Sequence, residues 1–489
     1  MTDRLPRTGP MRAGAAVESI LKDEPTSAVH DALHARAVVF DNGSTRLAVV
    51  GLDMGNASDE LMAAVRGLVA EQASVPPENL LVNASHNHRT HGQVADDVAV
   101  RIARAVRRAA DGMVPVTLGV CKGREDRVTM NRRVRLQDGT AWTIRRANPS
   151  PPDKDVAGVG PMDPEIGLLR VDRAEGGTLA VLYNFACHPY AGVADGGVTA
   201  DLPGFASRVV EGGLGGEGTV ALFVQGGAGD VTPVRYKDWD APPHTERLGT
   251  MLGLSVLEAA RRAVMCSDAR LQALAETVEL PRRTDLRDRL AALEAQQEEI
   301  LQFFSGVNCE HGWESSLNFK TFLPLYLKHL LDPDGPAYAS YLYLQEEKIG
   351  RGDLRNLDAA NRQRIGKYLE SIARMERLIR LRNRMDLIRR QIDEGEEGPL
   401  RAHVAVMRIG DFVLAGFPGE AFCRVGLNVK AQSPFEHTYL AAYTNGSLGY
   451  APTADEYGGD AYEDTLTRLA PEWQEVYERT VREMIGRLA

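Results

Sequence analysis

Short apolar runs alternate with amphipathic segments along the first 280 residues of the chain. Apolar runs bounded by turn residues are typical of buried strands, and periodic segments with acidic first turns are typical of helices. The predicted strands are 46–53, 79–85, 178–188 and 219–227, and the predicted helices are 58–72, 94–112 and 244–264. Ser58 is the predicted N-cap of the first helix. This alternation predicts a layered α/β/α fold with a mixed sheet.

The pattern changes near residue 281, where two long helical seams replace the alternation. The seams are Leu286, Leu290, Leu293, Gln297, Ile300 and Phe304, then Ile365, Leu369, Ile372, Met375, Ile379, Met385, Ile388 and Ile392. They predict a coiled-coil-like helical hairpin at 281–400, inserted into a catalytic domain formed by 1–280 and 401–489. The insertion is interpreted as a lid, as an arm that forms a homo-oligomer, or as a solvated structural arm.

The α/β pattern resumes after the insertion. Segment 403–422 predicts two strands joined by a turn at Gly410-Asp411, and 437–443 predicts another strand. The last twenty residues predict a closing helix.

Polar side chains suited to a metal follow three of the apolar runs. His86 and His88 come after the strand in NASHNHRTHG (83–92), and because residues two apart on an extended chain face one side, both imidazoles can enter one cleft. His188 ends the run TLAVLYNFACH, and Glu420 follows VLAGFPG. A lone histidine in such a place is more often structural, but a His/His/Glu set matches zinc chemistry.

Two further stretches carry candidate chemistry. In FVQGGAGDVTP (223–233), a strand runs into glycines, among them Gly227, and then Asp230 and Thr232. This segment is interpreted as a loop that brings backbone N–H groups close to a ligand, or as a tight turn. Segment 444–463 contains tyrosines among turn residues, including Tyr450 and Tyr462, and is also compatible with a surface loop.

Composition narrows the class of protein. The 489 residues carry a net charge of −10, which argues against a general nucleic-acid or anionic-membrane binder. Five scattered cysteines indicate free thiols in a reducing compartment and no thiolate zinc site. The start resembles no signal peptide, and no run of 18 apolar residues occurs. We therefore expect a cytoplasmic enzyme.

Together these motifs resemble those of the neutral ceramidase family, which are zinc-dependent amide hydrolases. The family's T-H-T-H motif is similar to Ser85–His88, its G-D-V-S-P-N motif to Gly229–Val234 and its P-G-E segment to Pro418–Glu420. Its Y-x-T-T-x-E-E-Y segment resembles Tyr450–Tyr457, with Tyr462 next, and its mid-chain histidine resembles His188. The resemblance covers roughly 10–280 and 401–489.

The resemblance implies one zinc ion per chain and a role for each matching residue. The implied ligands are His86, His188, Glu420 and Tyr450. His88 would lie beside the metal and hydrogen-bond water or substrate, and Tyr462 would point at the scissile carbonyl. Zinc held in this way lowers the pKa of bound water towards about 7. Asp53, at the end of RLAVVGLD, would hold a ligand histidine through its second ring nitrogen.

The sequence departs from the family at several points. The proposed catalytic serine of the family is Thr232 here, and its asparagine is Val234. The extra methyl group crowds the hydroxyl, so attack by metal-activated water is favoured over attack by Thr232. Without the family's signal peptide and C-terminal β-sandwich, we expect a soluble small-molecule amide as substrate and no membrane partner.

The neighbouring residues Asn131 and Arg132 are interpreted either as a site for a substrate carboxylate or as part of a solvated face. A second metal site at Cys309-Glu310-His311 is not favoured. Two alternatives remain open: a related esterase or amide-forming enzyme, and a catalytically silent scaffold or binding protein.

Overall fold

The computed structural model describes residues 9–144, 151–215, 218–234, 245–310, 354–395, 398–458 and 461–489, with a few isolated positions between 311 and 353. The side chains of the Cys309-Glu310-His311 group and of Phe304 lie outside the described residues. The chain divides into two compact units, Met1–Arg283 with Glu397–Ala489, and Thr284–Glu396. No helix among the described residues is long and apolar enough to cross a bilayer.

The helices predicted at 58–72, 94–112 and 244–264, in the insertion and at the end of the chain are confirmed, and the described residues contain three further helices that were not predicted. The α-helices of the described residues are α1 (Asp59–Ala73), α2 (Val98–Asp111), α3 (Asp201–Leu214), α4 (Thr245–Arg262), α5 (Leu286–Glu310), α6 (Leu354–Asp393), α7 (Cys423–Gln432), α8 (Tyr462–Leu466) and α9 (Trp473–Gly486). The predicted cap of α1 is confirmed, because the hydroxyl of Ser58 accepts a hydrogen bond from the Leu61 amide at 3.2 Å.

The strands include several short ones that the apolar pattern did not indicate. They are β1 (Arg12–Ser19), β2 (His34–Asp41), β3 (Arg46–Leu52), β4 (Leu80–Ala84), β5 (Val114–Arg124), β6 (Thr129–Asn131), β7 (Arg133–Leu136), β8 (Ala141–Thr143), β9 (Val156–Val159), β10 (Glu165–Arg173), β11 (Thr178–Phe185), β12 (Val220–Gln225), β13 (Val231–Pro233), β14 (Leu271–Leu280), β15 (Leu400–Ile409), β16 (Phe412–Gly416), β17 (Glu420–Ala421), β18 (His437–Ala441) and β19 (Tyr450–Ala451). The turn predicted at Gly410-Asp411 joins β15 to β16, and Gly410 adopts a φ of 61° there.

Two large sheets and three small ones lie within the described residues of the first unit. The larger is mixed and has the order β12-β11-β10-β5-β1-β2-β3-β4, with parallel pairs at its two ends, β11–β12 and β3–β4. The smaller has the order β14-β15-β16-β18. The predicted α/β fold with a mixed sheet is confirmed, and the layer between the helices contains this second sheet as well.

Side chains point alternately to the two faces of each sheet, and both faces are buried against other elements. On β2, Val38 and Phe40 enter the core shared by the two sheets, whereas Ala37 and Val39 pack under α1 and α2. Helices α3 and α4 cover β10–β12, and α7 and α9 cover the outer face of the smaller sheet. Because these strands are buried on both faces, they are almost continuously apolar, as the sequence shows.

The two long helices of the second unit pack through a seam that contains the predicted residues Leu293, Ile300, Met385 and Ile388 and, in addition, Leu381. Buried residues of the hairpin are Leu293 and Ile300 on α5, with Leu381, Met385 and Ile388 on α6. The prediction is wrong for Leu369, Met375 and Ile379, which are exposed. The apolar residues of α6 occupy two stripes, and spacing alone selected the exposed stripe in its middle.

The buried seam of α6 predicts that alanine substitutions of Leu381 and of Ile379 have different effects on stability. Leu381→Ala should destabilise the helical unit by about 2–5 kcal/mol, because the Leu381 side chain is only 2% exposed and its loss leaves a cavity. Ile379→Ala should change stability by less than about 0.5 kcal/mol, because Ile379 is 62% exposed. Hydrogen exchange of the α6 amides measures both effects, and equal losses in the two variants would contradict the observed seam.

Candidate metal centre

The strand ends that carry His86 and His188 are joined by a buried amide side chain. Gln225, the last residue of β12, donates from Nε2 to the Ser85 carbonyl at 2.7 Å and accepts at Oε1 from the Cys187 amide at 3.0 Å. Ser85 directly precedes His86, and Cys187 directly precedes His188. Gln225 therefore fixes the distance between the ends of β4 and β11.

A second buried amide links the two edge strands of the large sheet. Asn83 on β4 accepts from the Gln225 amide at 2.7 Å and donates to the Ala442 carbonyl and the Thr444 hydroxyl at 2.5 and 3.0 Å. This link also brings the chain after β18 to the strand ends. Both amides were missed by sequence reasoning, since each occupies one position in an otherwise apolar strand.

Backbone carbonyls fix the ring orientation of two histidines. His86 Nδ1 lies 2.8 Å from the Gly55 carbonyl, and His188 Nδ1 lies 3.1 Å from the Ala228 carbonyl. Because a carbonyl only accepts, each Nδ1 carries the proton and each Nε2 of the neutral ring presents a lone pair. His86 adopts a φ of 62°, which turns its side chain out of the strand direction, and its ring stacks on Tyr443 at 4.3 Å.

The three imidazoles converge on one point through their Nε2 atoms. His88 Nε2 lies 3.0 Å from His86 Nε2 and 3.1 Å from His188 Nε2. Ligand nitrogens about 2.0–2.1 Å from a tetrahedral zinc ion are separated by about 3.3 Å, so the spacing is close to that of a coordination shell. A proton on His88 Nε2 can bridge to one of the other rings but not to both.

Glu420 brings a carboxylate next to His86. Its Oε2 lies 3.2 Å from His86 Nε2, is buried, and receives no hydrogen bond from the described residues. The short contact is not a hydrogen bond in the tautomer above, because His86 Nε2 carries no proton. A buried carboxylate oxygen without a donor is costly unless a cation completes it.

This donor set fits a divalent metal ion. His86, His88 and His188 present ring nitrogens within 4.8 Å of one another, and Glu420 adds an anionic oxygen that otherwise has no donor. Imidazole nitrogens with one carboxylate match the ligand preference of zinc. Of the predicted ligands, His86, His188 and Glu420 come together, and His88 is equally close.

Burial favours the neutral form of His88 and His188, as metal ligation requires. It lowers the pKa of His88 to about 4, with the neighbouring His86 adding to the effect, and it lowers the pKa of His188 well below the usual value. For Glu420, burial opposes ionisation, but His86 in its protonated form and Arg132 outweigh it and lower the carboxyl pKa.

Tyr450 lies beside Glu420 because their two short strands pair. β17 and β19 are parallel, with Glu420 opposite Tyr450. The Tyr450 hydroxyl accepts a hydrogen bond from Arg132 Nη2 at 3.0 Å, and burial raises the pKa of the phenol well above its usual value. Tyr450 is thus a neutral phenol whose oxygen already has one donor.

Arg132 connects Tyr450 to a buried ion network. Its Nε donates to Glu463 at 2.9 Å and its Nη2 to the Gly229 carbonyl at 2.6 Å, and Glu463 is fully buried. The other Glu463 oxygen accepts from Arg133 at 3.2 Å and from Thr143 at 2.6 Å. Arg132 is therefore a buried part of the centre and not part of a solvated face.

The network also places Tyr462, the residue before Glu463. Its ring lies 5.6 Å from that of Tyr450 in an edge-on arrangement, and it is partly exposed at the first residue of α8. Tyr462 therefore lies at the border between the centre and solvent, where a substrate group can reach it.

Thr232 lies on β13 and is fully buried. Its hydroxyl is hydrogen-bonded to the hydroxyl of Tyr190, a residue that sequence reasoning did not single out. The signal was present, since Tyr190 follows His188 by two positions in ACHPY.

Asn131 and Gly227 have packing contacts of their own. Asn131 donates to Asp230 at 2.6 Å and to the Pro161 carbonyl at 2.7 Å, and burial raises the pKa of Asp230 to about 6. A Cβ atom on Gly227 would lie 2.9 Å from the Phe422 carbonyl oxygen, so glycine permits this close approach of two backbones.

The prediction for Asp53 is wrong. Its carboxylate accepts from Arg36 at 2.8 Å and from the His34 amide at 3.0 Å. The Nδ1 atoms of His86 and His188 have backbone carbonyl partners instead. The sequence cannot show which backbone carbonyl contacts a histidine, because every residue has a carbonyl. A carboxylate at a strand end, in contrast, is visible in the sequence as a candidate partner.

Comparison by sequence finds no match, either among protein-family models or among curated proteins. Comparison with solved structures does. The crystal structure of neutral ceramidase from Pseudomonas aeruginosa matches with a TM-score of 0.60 at 18% identity, over 98% of this chain and 75% of that one. A structure of ceramidase complexed with C2 matches with a TM-score of 0.61, with the same identity and coverage. The chain has the fold of neutral ceramidase.

The hydrogen bonds of Gln225 at the strand ends predict that a negative charge at this position destabilises the fold. Gln225→Glu should destabilise the fold by about 1–3 kcal/mol, because a carboxylate cannot donate to the Ser85 carbonyl. Gln272→Glu on β14 is the matched control, since Gln272 is exposed. Urea unfolding at pH 7 measures both variants, and equal midpoints would show that the Gln225 contacts do not stabilise the strand ends.

Proposed function

We propose that the chain is a zinc-dependent hydrolase that cleaves the C–N bond of a soluble small-molecule amide. One observation carries the proposal: the Nε2 atoms of His86 and His188, which carry no proton in the neutral rings, lie close together, and a buried carboxylate oxygen without a donor lies 3.2 Å from one of them. The fold shared with neutral ceramidase supports amide cleavage as the reaction.

His86, His188 and Glu420 would hold the ion, and His88 and Tyr450 are the candidates for a further ligand. When bound, zinc supplies Lewis acidity, which polarises a carbonyl and activates water at neutral pH. His88 is the more accessible candidate, because its side chain is exposed, whereas the Tyr450 oxygen accepts a hydrogen bond from Arg132.

The surrounding side chains have separate tasks in this reaction. Where Tyr450 supplies the further ligand, His88, with a pKa of about 4, is neutral at pH 7 and can accept a proton from the attacking water. Tyr462 is placed at the border with solvent, where its hydroxyl can donate to the carbonyl oxygen of a substrate. Arg132 keeps a positive charge near the centre and orients the Tyr450 phenol.

Zinc content tests the proposal directly. Wild-type protein should contain about one zinc per chain, and His86→Ala, His188→Ala and Glu420→Gln should each lose it, because each removes a donor. His91→Ala is the matched control, since His91 is an exposed histidine of the same segment. Elemental mass spectrometry measures all five proteins. A wild-type chain that neither contains nor takes up zinc would contradict the proposal and favour a binding or scaffold role.

A second pair of variants separates the two candidates for the further ligand. His88→Gln should weaken zinc binding by about 10-fold or more, because His88 Nε2 is within 3.1 Å of both other ring nitrogens. Tyr450→Phe should weaken it less, because its oxygen already accepts from Arg132. Competition with a chelator gives both dissociation constants, and the reverse order would assign the position to Tyr450.

Thr232 variants test which group attacks the carbonyl. With zinc-loaded protein and a panel of N-acyl p-nitroanilides, Thr232→Val should lower kcat/KM by no more than about 1,000-fold, the upper end of the typical effect of losing one hydrogen-bond donor. Thr232→Ser, which keeps the hydroxyl, is the control. A loss of about a millionfold, as expected for removal of a nucleophile, would show that the threonine attacks.

A further inference from the structure

Tyr190 forms one side of the candidate metal centre. Its ring lies edge-on to His188 at 4.7 Å and to His88 at 5.8 Å between centroids. Its hydroxyl is hydrogen-bonded to that of Thr232 on β13. A single side chain thus contacts two imidazoles of the site and the residue predicted to take part in the chemistry.

Arg89 holds the backbone of Tyr190 in place. Its Nε and Nη2 donate to the Tyr190 carbonyl at 2.9 and 2.5 Å, and its Nη2 also donates to the Ala191 carbonyl at 3.1 Å. The Arg89 amide in turn donates to the Asn87 side chain at 2.8 Å, within the segment that carries His86 and His88. The Tyr190 loop is therefore tied to the histidine segment.

The pattern of exposure shows which side of the centre Tyr190 covers. Thr232 is fully buried and His188 is 1% exposed, whereas His88 is exposed and Tyr190 is 9% exposed. A substrate therefore reaches the centre from the side of His88, and the Tyr190 phenol occupies the space beside Thr232.

We propose that Tyr190 is a specificity-determining residue, which closes the pocket on the Thr232 side and restricts the substrate to an amide with a short acyl group. The inference rests on the proposed function, because it requires a carbonyl bound at the metal centre. It also explains why Thr232 is screened, since its hydroxyl faces the phenol of Tyr190.

Hydroxamates of different chain length test the inference, because they bind zinc and carry an acyl chain. Acetohydroxamate and hexanohydroxamate are titrated calorimetrically into zinc-loaded wild type, Tyr190→Ala, Tyr190→Leu and Tyr190→Phe, with zinc measured in each sample. The Phe variant is the matched control, since it keeps the ring and removes only the hydroxyl. The Leu variant retains more of the packing if the Ala variant does not fold.

In wild type and Tyr190→Phe, the two affinities should agree within about threefold, because the ring blocks the longer chain. In Tyr190→Ala and Tyr190→Leu, hexanohydroxamate should bind about 10-fold or more tightly than acetohydroxamate, because four further methylenes become buried. A preference for the longer chain already in wild type, or no gain in either enlarged variant, would overturn the inference alone. Zinc-free wild type, or loaded protein that binds neither probe, would overturn the proposed function and the inference with it.

Discussion

The candidate metal centre depends on two buried amides, Asn83 and Gln225, which tie together strand ends that are far apart in sequence. Strands β4 and β12 are the opposite edges of the large sheet, so nothing in the backbone ladder brings them together. The amides do so with hydrogen bonds on both oxygen and nitrogen, and a buried amide left unpaired would be costly. The same contacts occupy edge positions that would otherwise expose unpaired backbone groups.

The histidines of the centre and a buried ion pair lie around these two amides. Two carbonyls determine the tautomers of His86 and His188, and burial lowers the pKa of His188. Behind them, Arg132 and Glu463 form a buried pair whose hydrogen-bonding groups have partners on several strands. Because such a pair costs desolvation, it contributes order more than stability here: Arg132 orients Tyr450 by a hydrogen bond, and Glu463 directly follows Tyr462 in the chain.

The apolar pattern predicted the α/β class, the main strands and the cap at Ser58, because buried strands and helix starts are determined by local sequence. It also indicated His86, His188 and Glu420, since each follows an apolar run. The pattern could not show that His86 and His188 take their Nδ1 partners from Gly55 and Ala228, because every residue has a carbonyl. The Asp53 error has that origin. The prediction for the middle of α6 failed for another reason: the helix has two apolar stripes there, and only tertiary packing selects between them.

The pairing of Glu420 with Tyr450 has a consequence for the size of ion that the centre accepts. Both side chains come from one parallel ladder, and His86 and His188 are anchored to backbone carbonyls, so four of the five candidate donors cannot move independently. His88 is exposed, and its ring has no carbonyl partner among the contacts described. It is therefore the donor that can move most easily. An ion larger than zinc would have to be accommodated mainly by a displacement of the His88 side chain. Selectivity among divalent metals would then depend on how far the His88 ring can move away from the other donors.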